Sequence, residues 1–427
     1  MKIVDTQEEL QKHLSELSEK VVVFPILSSL EKHPRLSRIS SILISYGKLD
    51  LFVNYHNIEA STISQKIDFK PFKEVCVVGL KEFLHHYDYI DNMFDLEMEL
   101  FHQASNFDVD EKPIYTVFRR RKAPRANDLI PIWKHYEQFQ DWKNLWSQNA
   151  TSSKFSQLYP KSLNWMELGG LKTTDGIEYT QYNMLTTTSR PSNAFSGTNY
   201  AALPKDGEVR SRFISRFVGG KLYQLDFDGY HLRLIGKLID VNIPLTIKAH
   251  QWLADQYGAD IKDAKAITFR QLYGGVQDEY KHIPFFSKTA EYIETLWRQF
   301  LVDKVIYTPI FKRKIVFSDD LNKNKLFNYI LQSVETERNI IILDKLSKLK
   351  TQHSLPILYT YDSILFDVHK DDVNYIKCTT AGGTPTWVPI MSTISVTVSP
   401  IYNRTRLRQF NLKDYASGNT VGGQGFI

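Results

Sequence analysis

With 427 residues, 42% of them hydrophobic and 24% charged, the chain has an ordinary globular composition, long enough for two or three domains and without the bias that marks disorder. Its apolar runs, such as Val21-Val22-Val23-Phe24, fall far short of the ~20 residues that a membrane helix needs, and Met1 to Lys20 is too polar for a secretion signal, so a soluble, cytoplasmic protein with no membrane partner is expected. The net charge of +5 conceals an asymmetry: residues 1 to 110 hold 11 Lys and Arg against 18 Asp and Glu, a net of −7, which leaves +12 for the remainder, as suits a body that follows a phosphate backbone.

The chain opens with an amphipathic helix that Asp5 or Thr6 can cap, with Leu10, Leu14, Leu17 and Val21 at helical spacing. A strand, Val21 to Ile26, follows. The β-branched stretch Ile39 to Ile44 then turns through Tyr46-Gly47-Lys48 into Leu51-Phe52-Val53, which reads as a hairpin on a small sheet. Residues 108 to 131 have the charge and proline pattern of a linker, and their run Arg119-Arg120-Arg121-Lys122 suits duplex phosphates. From Ile132 to Gln148 the rings of Trp133, Tyr136, Phe139, Trp142 and Trp146 recur at helical spacing and should be packed. Cys76 and Cys378 make neither a zinc cluster nor a disulfide framework and are expected as buried free thiols of a reducing compartment.

Three later segments carry chemistry. Leu222 to Leu225 is a strand that ends at Asp226, and Leu232, Ile235 and Leu238 mark the apolar face of the helix after it. Lys265, Phe269 and Tyr273 are four apart, so at ~100° per residue they drift only about 40° per step and share one helix face. Two β-rich runs, Ile357 to Thr360 and Ile364 to Phe366, flank a turn at Tyr361-Asp362-Ser363, and such a tip can bring Asp362 opposite Asp226. Two facing acids repel unless cations fill the gap, so the arrangement argues for Mg2+. Asp226-x-Asp228 alone is a weak signal, since many loops contain it. Asn328 and Gln332 lie i, i+4 on one helix, ahead of the hairpin.

In this order the segments Tyr223 to Arg233, Lys265 to Gly274 and Tyr359 to Asp367 resemble motifs A, B and C of the family A DNA polymerases, especially phage members, with a likeness that spans roughly residues 185 to 370. The resemblance implies an α/β (α+β) right-hand fold with palm, fingers and a short thumb, plus a small N-terminal α/β exonuclease-like domain. Residues 1–115 would be that domain, 116–185 linker and thumb, and 186–427 palm and fingers, with the fingers at about 242–307. It implies a monomeric enzyme adding dNTPs to primer-template DNA with two Mg2+ ions, with phage replication proteins as further partners in a host cytoplasm.

The roles are carried over residue by residue. Asp226, Asp362 and the backbone carbonyl of Phe227 would hold the metals. Lys265 would bind the triphosphate and protonate the departing pyrophosphate, Phe269 and Tyr273 would pack on the incoming nucleotide, and Gly274 would let the template approach. His250 matches a phosphate-contacting histidine. Arg190, within Thr188-Ser189-Arg190-Pro191-Ser192-Asn193 and ahead of the Asn-rich stretch Asn199 to Pro204, would lie in the minor groove at the primer end, where acceptors are nearly alike for every base pair. Asn328, Gln332 and Tyr361 would touch the DNA.

The chain also departs from the family. Pro25 and Leu27 stand where an exonuclease needs acids, so no proofreading is expected. Ile261 replaces a phosphate-binding arginine, leaving Lys262 as its substitute without the bidentate fork. Ser363 replaces a glutamate beside Asp362. His231 stands where a glutamate usually blocks the ribose 2′-hydroxyl; a histidine is as bulky and can hydrogen-bond Tyr273. A single-subunit RNA polymerase and an inactive primer-template binding protein are the alternatives.

Overall fold

Alternating valines, isoleucines and leucines in the first hundred residues condense into one sheet, while the later hairpin and helices build a second. The computed structural model describes residues 1–16, 20–28, 33–46, 49–55, 63, 66–103, 131–149, 152–193, 200, 208–244, 247–314, 321–348, 353–372 and 396–401. The chain divides into two compact units, Met1–Asn164 and Trp165–Ile427. The basic run Arg119–Lys122, Cys378, most of the expected linker and all of 199–204 except Tyr200 lie outside the described residues. Among those described, no helix is long and apolar enough to cross a membrane.

In the first unit, β1 (Lys2–Val4), α1 (Gln7–Glu16), β2 (Lys20–Leu27), β3 (Ile39–Tyr46), β4 (Leu49–Asn54), β5 (Glu74–Val77) and β6 (Met93–Asp95) give a six-stranded sheet of order β1-β4-β3-β2-β5-β6. The expected β3–β4 hairpin is present, but it is the middle of a larger mixed sheet, because β1, β5 and β6 add by parallel pairing. Those three strands are too short for periodicity to reveal. β2 is covered on both faces, hence its unbroken apolar run. Pro25 lies in β2 beyond the Lys20–Val23 segment that pairs with β5, where its missing N–H breaks no bond to that neighbour.

The helices α2 (Leu80–Phe83), α3 (Leu96–Gln103) and α4 (Ile132–Asn149) belong to this unit, and α5 (Lys154–Gly169) runs across the boundary. The stretch expected to serve as thumb, α4, thus packs in the first unit. Its Tyr136, Gln140 and Lys143, spaced so that they share a helix face, reach one carboxylate, Asp50, at 2.8, 2.8 and 2.7 Å. Phe139 and Trp142 are buried as expected, but Trp133 is 57% exposed, because it sits in the first turn, ahead of the covered part of the helix. Cys76 is a buried free thiol, its pKa pushed up by burial and then by the Glu74 charge.

The second unit is organised by an antiparallel sheet of β7 (Lys221–Phe227), β8 (Leu355–Thr360), β9 (Ser363–Val368) and β10 (Val396–Ile401) in the order β8-β9-β7-β10. β7 is therefore central. It runs one residue past Asp226, since the Phe227 N–H still finds an acceptor, the Asp362 carbonyl at 2.9 Å. Helices α6 (Tyr230–Leu238), α7 (Ala249–Tyr257), α8 (Ile261–Gly274), α9 (Pro284–Asp303) and α10 (Lys323–Leu346) belong to the same unit.

Candidate active site

β7 and the β8–β9 hairpin place the two carboxylates. Asp226 pairs with Ser363, so the next position along, the hairpin tip, holds Asp362 beside the end of β7. The turn has only two residues, Tyr361 and Asp362, between the paired Thr360 and Ser363. Tyr361 adopts the left-handed conformation at φ 55°, a strained geometry for a residue with a Cβ. The Ser363 hydroxyl is within 2.7 Å of that of Thr360, which closes the hairpin in place of an outward carboxylate.

Solvent reaches Asp362 at the turn, yet the protein around it pushes its carboxyl above the ordinary carboxylate value, with the Glu335 charge adding and Arg190 and His231 opposing. In a β-strand the N–H and C=O of one residue point to the same side. The Phe227 N–H is directed at the hairpin tip, so its carbonyl faces that side too. Two carboxylates and a carbonyl form a hard-oxygen donor set that fits Mg2+.

On α8 the three expected residues share a face. Asp260 caps the helix through the N–H groups of Lys262 and Asp263. Lys265 is exposed, Phe269 is 48% exposed, and the Phe269 and Tyr273 rings stack at 5.9 Å with 10° between planes. Lys262 and Ile261 lie exposed in the first turn. His250, on α7, brings its ring 5.9 Å from that of Phe269, and its pKa is lowered by burial and then by the Lys265 charge. Its Nδ1 is buried without a hydrogen-bond partner among the described residues. A Cβ on Gly274 would meet none of the described residues within 4 Å, so none of them demands a glycine at this exposed helix end.

One residue absent from the sequence reading lies at the centre: Glu335 of α10, whose side chain is 0% exposed. Arg190 approaches its oxygens from Nε and Nη2, each at 3.3 Å, and the His231 Nε2 lies 3.0 Å from Oε2. The His231 Nδ1 is in turn 2.6 Å from the Tyr273 hydroxyl, the contact expected from sequence. Burial and then the Glu335 charge push the Tyr273 hydroxyl up to about 12. The Arg190 guanidinium stacks 3.8 Å from the Tyr361 ring centre. The structure thus brings Arg190, His231, Tyr273 and Tyr361 together around a carboxylate for which the sequence offered no signal beyond an acid amid a helix.

Other assigned residues divide. Gln332 lies 3.2 Å from the Thr188 hydroxyl, whereas Asn328 keeps a buried Oδ1 without a partner among the described residues. Asp228 has a structural use: its Oδ2 takes the Arg233 guanidinium at 2.9 Å and the Ala249 N–H at 3.0 Å.

No protein-family model matches the chain, and no curated protein does. Among solved structures, the POL domain of Pol1 from M. smegmatis, in complex with DNA primer-template and dNTP, is similar with a TM-score of 0.68 and 12% identity, over 93% of this chain and 98% of that one. At that identity the likeness is one of architecture: the chain has the mixed α/β fold of a DNA polymerase domain.

Proposed function

We propose that the chain is a template-directed DNA polymerase of the family A kind, similar to phage members, that extends a primer 3′ end with dNTPs. The observation that carries this reading is that Asp226 and Asp362 meet at one end of the sheet, while the Lys265-Phe269-Tyr273 face is tied to the same place through the Tyr273–His231–Glu335 chain.

The residues divide the work as follows. Asp226, Asp362 and the Phe227 carbonyl would hold two Mg2+ ions, which when bound would lower the pKa of the primer 3′-hydroxyl and neutralise the triphosphate. Lys265 binds the triphosphate and gives a proton to the leaving pyrophosphate. Lys262 adds a point charge, and His250 offers its unpartnered Nδ1. Phe269 and Tyr273 flank the incoming nucleotide, Gly274 leaves room for the template, and His231 faces the sugar. Arg190, Tyr361, Gln332 and Asn328 line the primer-template side. The protein acts as a monomer in the cytoplasm.

Primer extension by Asp226→Ala and Asp362→Ala tests this reading. Each is expected to lose at least about 10³-fold in rate, with primer-template affinity nearly intact by fluorescence anisotropy. Substantial synthesis by either variant would sink the assignment, and extension with rNTPs alone by the wild type would move it to an RNA polymerase.

A further inference from the structure

Glu335 is the residue whose surroundings ask most of the proposed function. A fully buried carboxylate is costly to desolvate and persists only where donors meet it. Two residues on in the same helix, Glu337 shows what a structural use looks like: it accepts from the Thr308 hydroxyl, the Phe311 N–H and the Arg313 guanidinium, and so anchors residues 308–313. Glu335 has no such anchor. Among the described residues its hydrogen bonds go to two side chains, Arg190 and His231, and both stand on the side that the polymerase reading gives to the primer end and the nucleotide.

The bonding fixes the histidine. A carboxylate only accepts, so the His231 Nε2 carries the hydrogen, and the Nδ1 at the other end of the ring shares a hydrogen bond of 2.6 Å with the Tyr273 hydroxyl. Both ends of the imidazole are occupied, and the ring has one orientation. The second oxygen completes the grip on Arg190, whose guanidinium also lies on the ring of Tyr361, next to Asp362.

We propose that Glu335 is a positioning residue for sugar selection: it holds the His231 ring across the place of a ribose 2′-hydroxyl and, by sharing its carboxylate with Arg190, ties that selection to the primer terminus. This rests on the polymerase reading. The carboxylate that the gate position itself lacks is supplied from a different helix.

The test compares wild type, Glu335→Gln and Glu335→Asp of the full chain. It measures kcat and KM separately for one dNTP and its rNTP on a paired and on a 3′-mismatched primer, with melting curves for each protein. Gln has one acceptor oxygen for two partners, and Asp keeps the charge but is one methylene short. The dNTP-over-rNTP ratio of kcat/KM is expected to fall about tenfold in Glu335→Gln and by less in Glu335→Asp, the loss being larger on the paired primer than on the mismatched one. A structural carboxylate would slow both nucleotides alike and leave the ratio unchanged, which overturns the inference, as does failure of both variants to fold. Wild type that extends no primer overturns the polymerase reading and this inference with it. Extension with an unchanged ratio in the variants overturns this inference alone.

Discussion

His86 in the first unit has its pKa lowered from 6.5 to about 4, by burial first and then by the positive charges of His85 and Lys66. Between those two values the unfolded chain binds a proton that the folded chain resists, so stability falls as the pH drops through that window. Urea midpoints at pH 7, 5.5 and 4 should therefore fall more steeply for wild type than for His86→Gln; parallel curves would contradict the linkage. At this scale the sequence was informative where a motif names the atom. Asp226, Asp362, Phe269 and Tyr273 fall where the spacing puts them, and the His231–Tyr273 contact was foreseeable from two residues that can each hydrogen-bond. Glu335 was not, because a glutamate in a helix is ordinary on any solvated face and its burial depends on Arg190 and His231, both more than a hundred positions upstream.

Between α6 and α7 the chain makes an irregular crossing, and Arg233 secures it. Its side chain, 2% exposed, donates to the carbonyls of Asp228, Ile243, Pro244 and Ile247 and to the Asp228 carboxylate. Arg233→Ala strips a buried ion pair of one partner and should cost about 3–5 kcal/mol, read from urea denaturation, with Arg233→Lys recovering only part because an ammonium cannot fan out to as many acceptors. The β8–β9 hairpin was legible since apolar runs flank a short polar turn. α10 was legible only in part: its buried set includes Ser333, Glu335, Thr336, Glu337 and Asn339, so polar residues on its covered sides blur the apolar stripe. β10 was hidden by Pro400 within Val396–Ile401; among the described strands it is the last in the sheet order, a place where a proline is tolerated.

For the molecule as a whole, the mixed sheet of the first unit carries Pro25 and Leu27 where an exonuclease would need acids, and Leu27 belongs to its apolar core. Its buried acids are already engaged. Asp50 is shared by Ser45, Tyr136, Gln140 and Lys143; Asp95 accepts from the Leu80 and Met98 N–H groups; and Glu99 is met by Ser153 and Ser156. A 3′-mismatched labelled primer incubated with the pure protein and Mg2+ but no dNTP should stay at full length on a denaturing gel; shortening would show a nuclease in this chain. The central position of β7 bears on biosynthesis. Its neighbours on either side, β9 and β10, are encoded at 363–368 and 396–401, so when the ribosome has delivered Asp226 neither flank of its strand yet exists. Pairings so distant in sequence form late and slowly. The first unit can collapse early, whereas Asp226 gains its place beside Asp362 only once the β8–β9 hairpin has emerged and paired with β7.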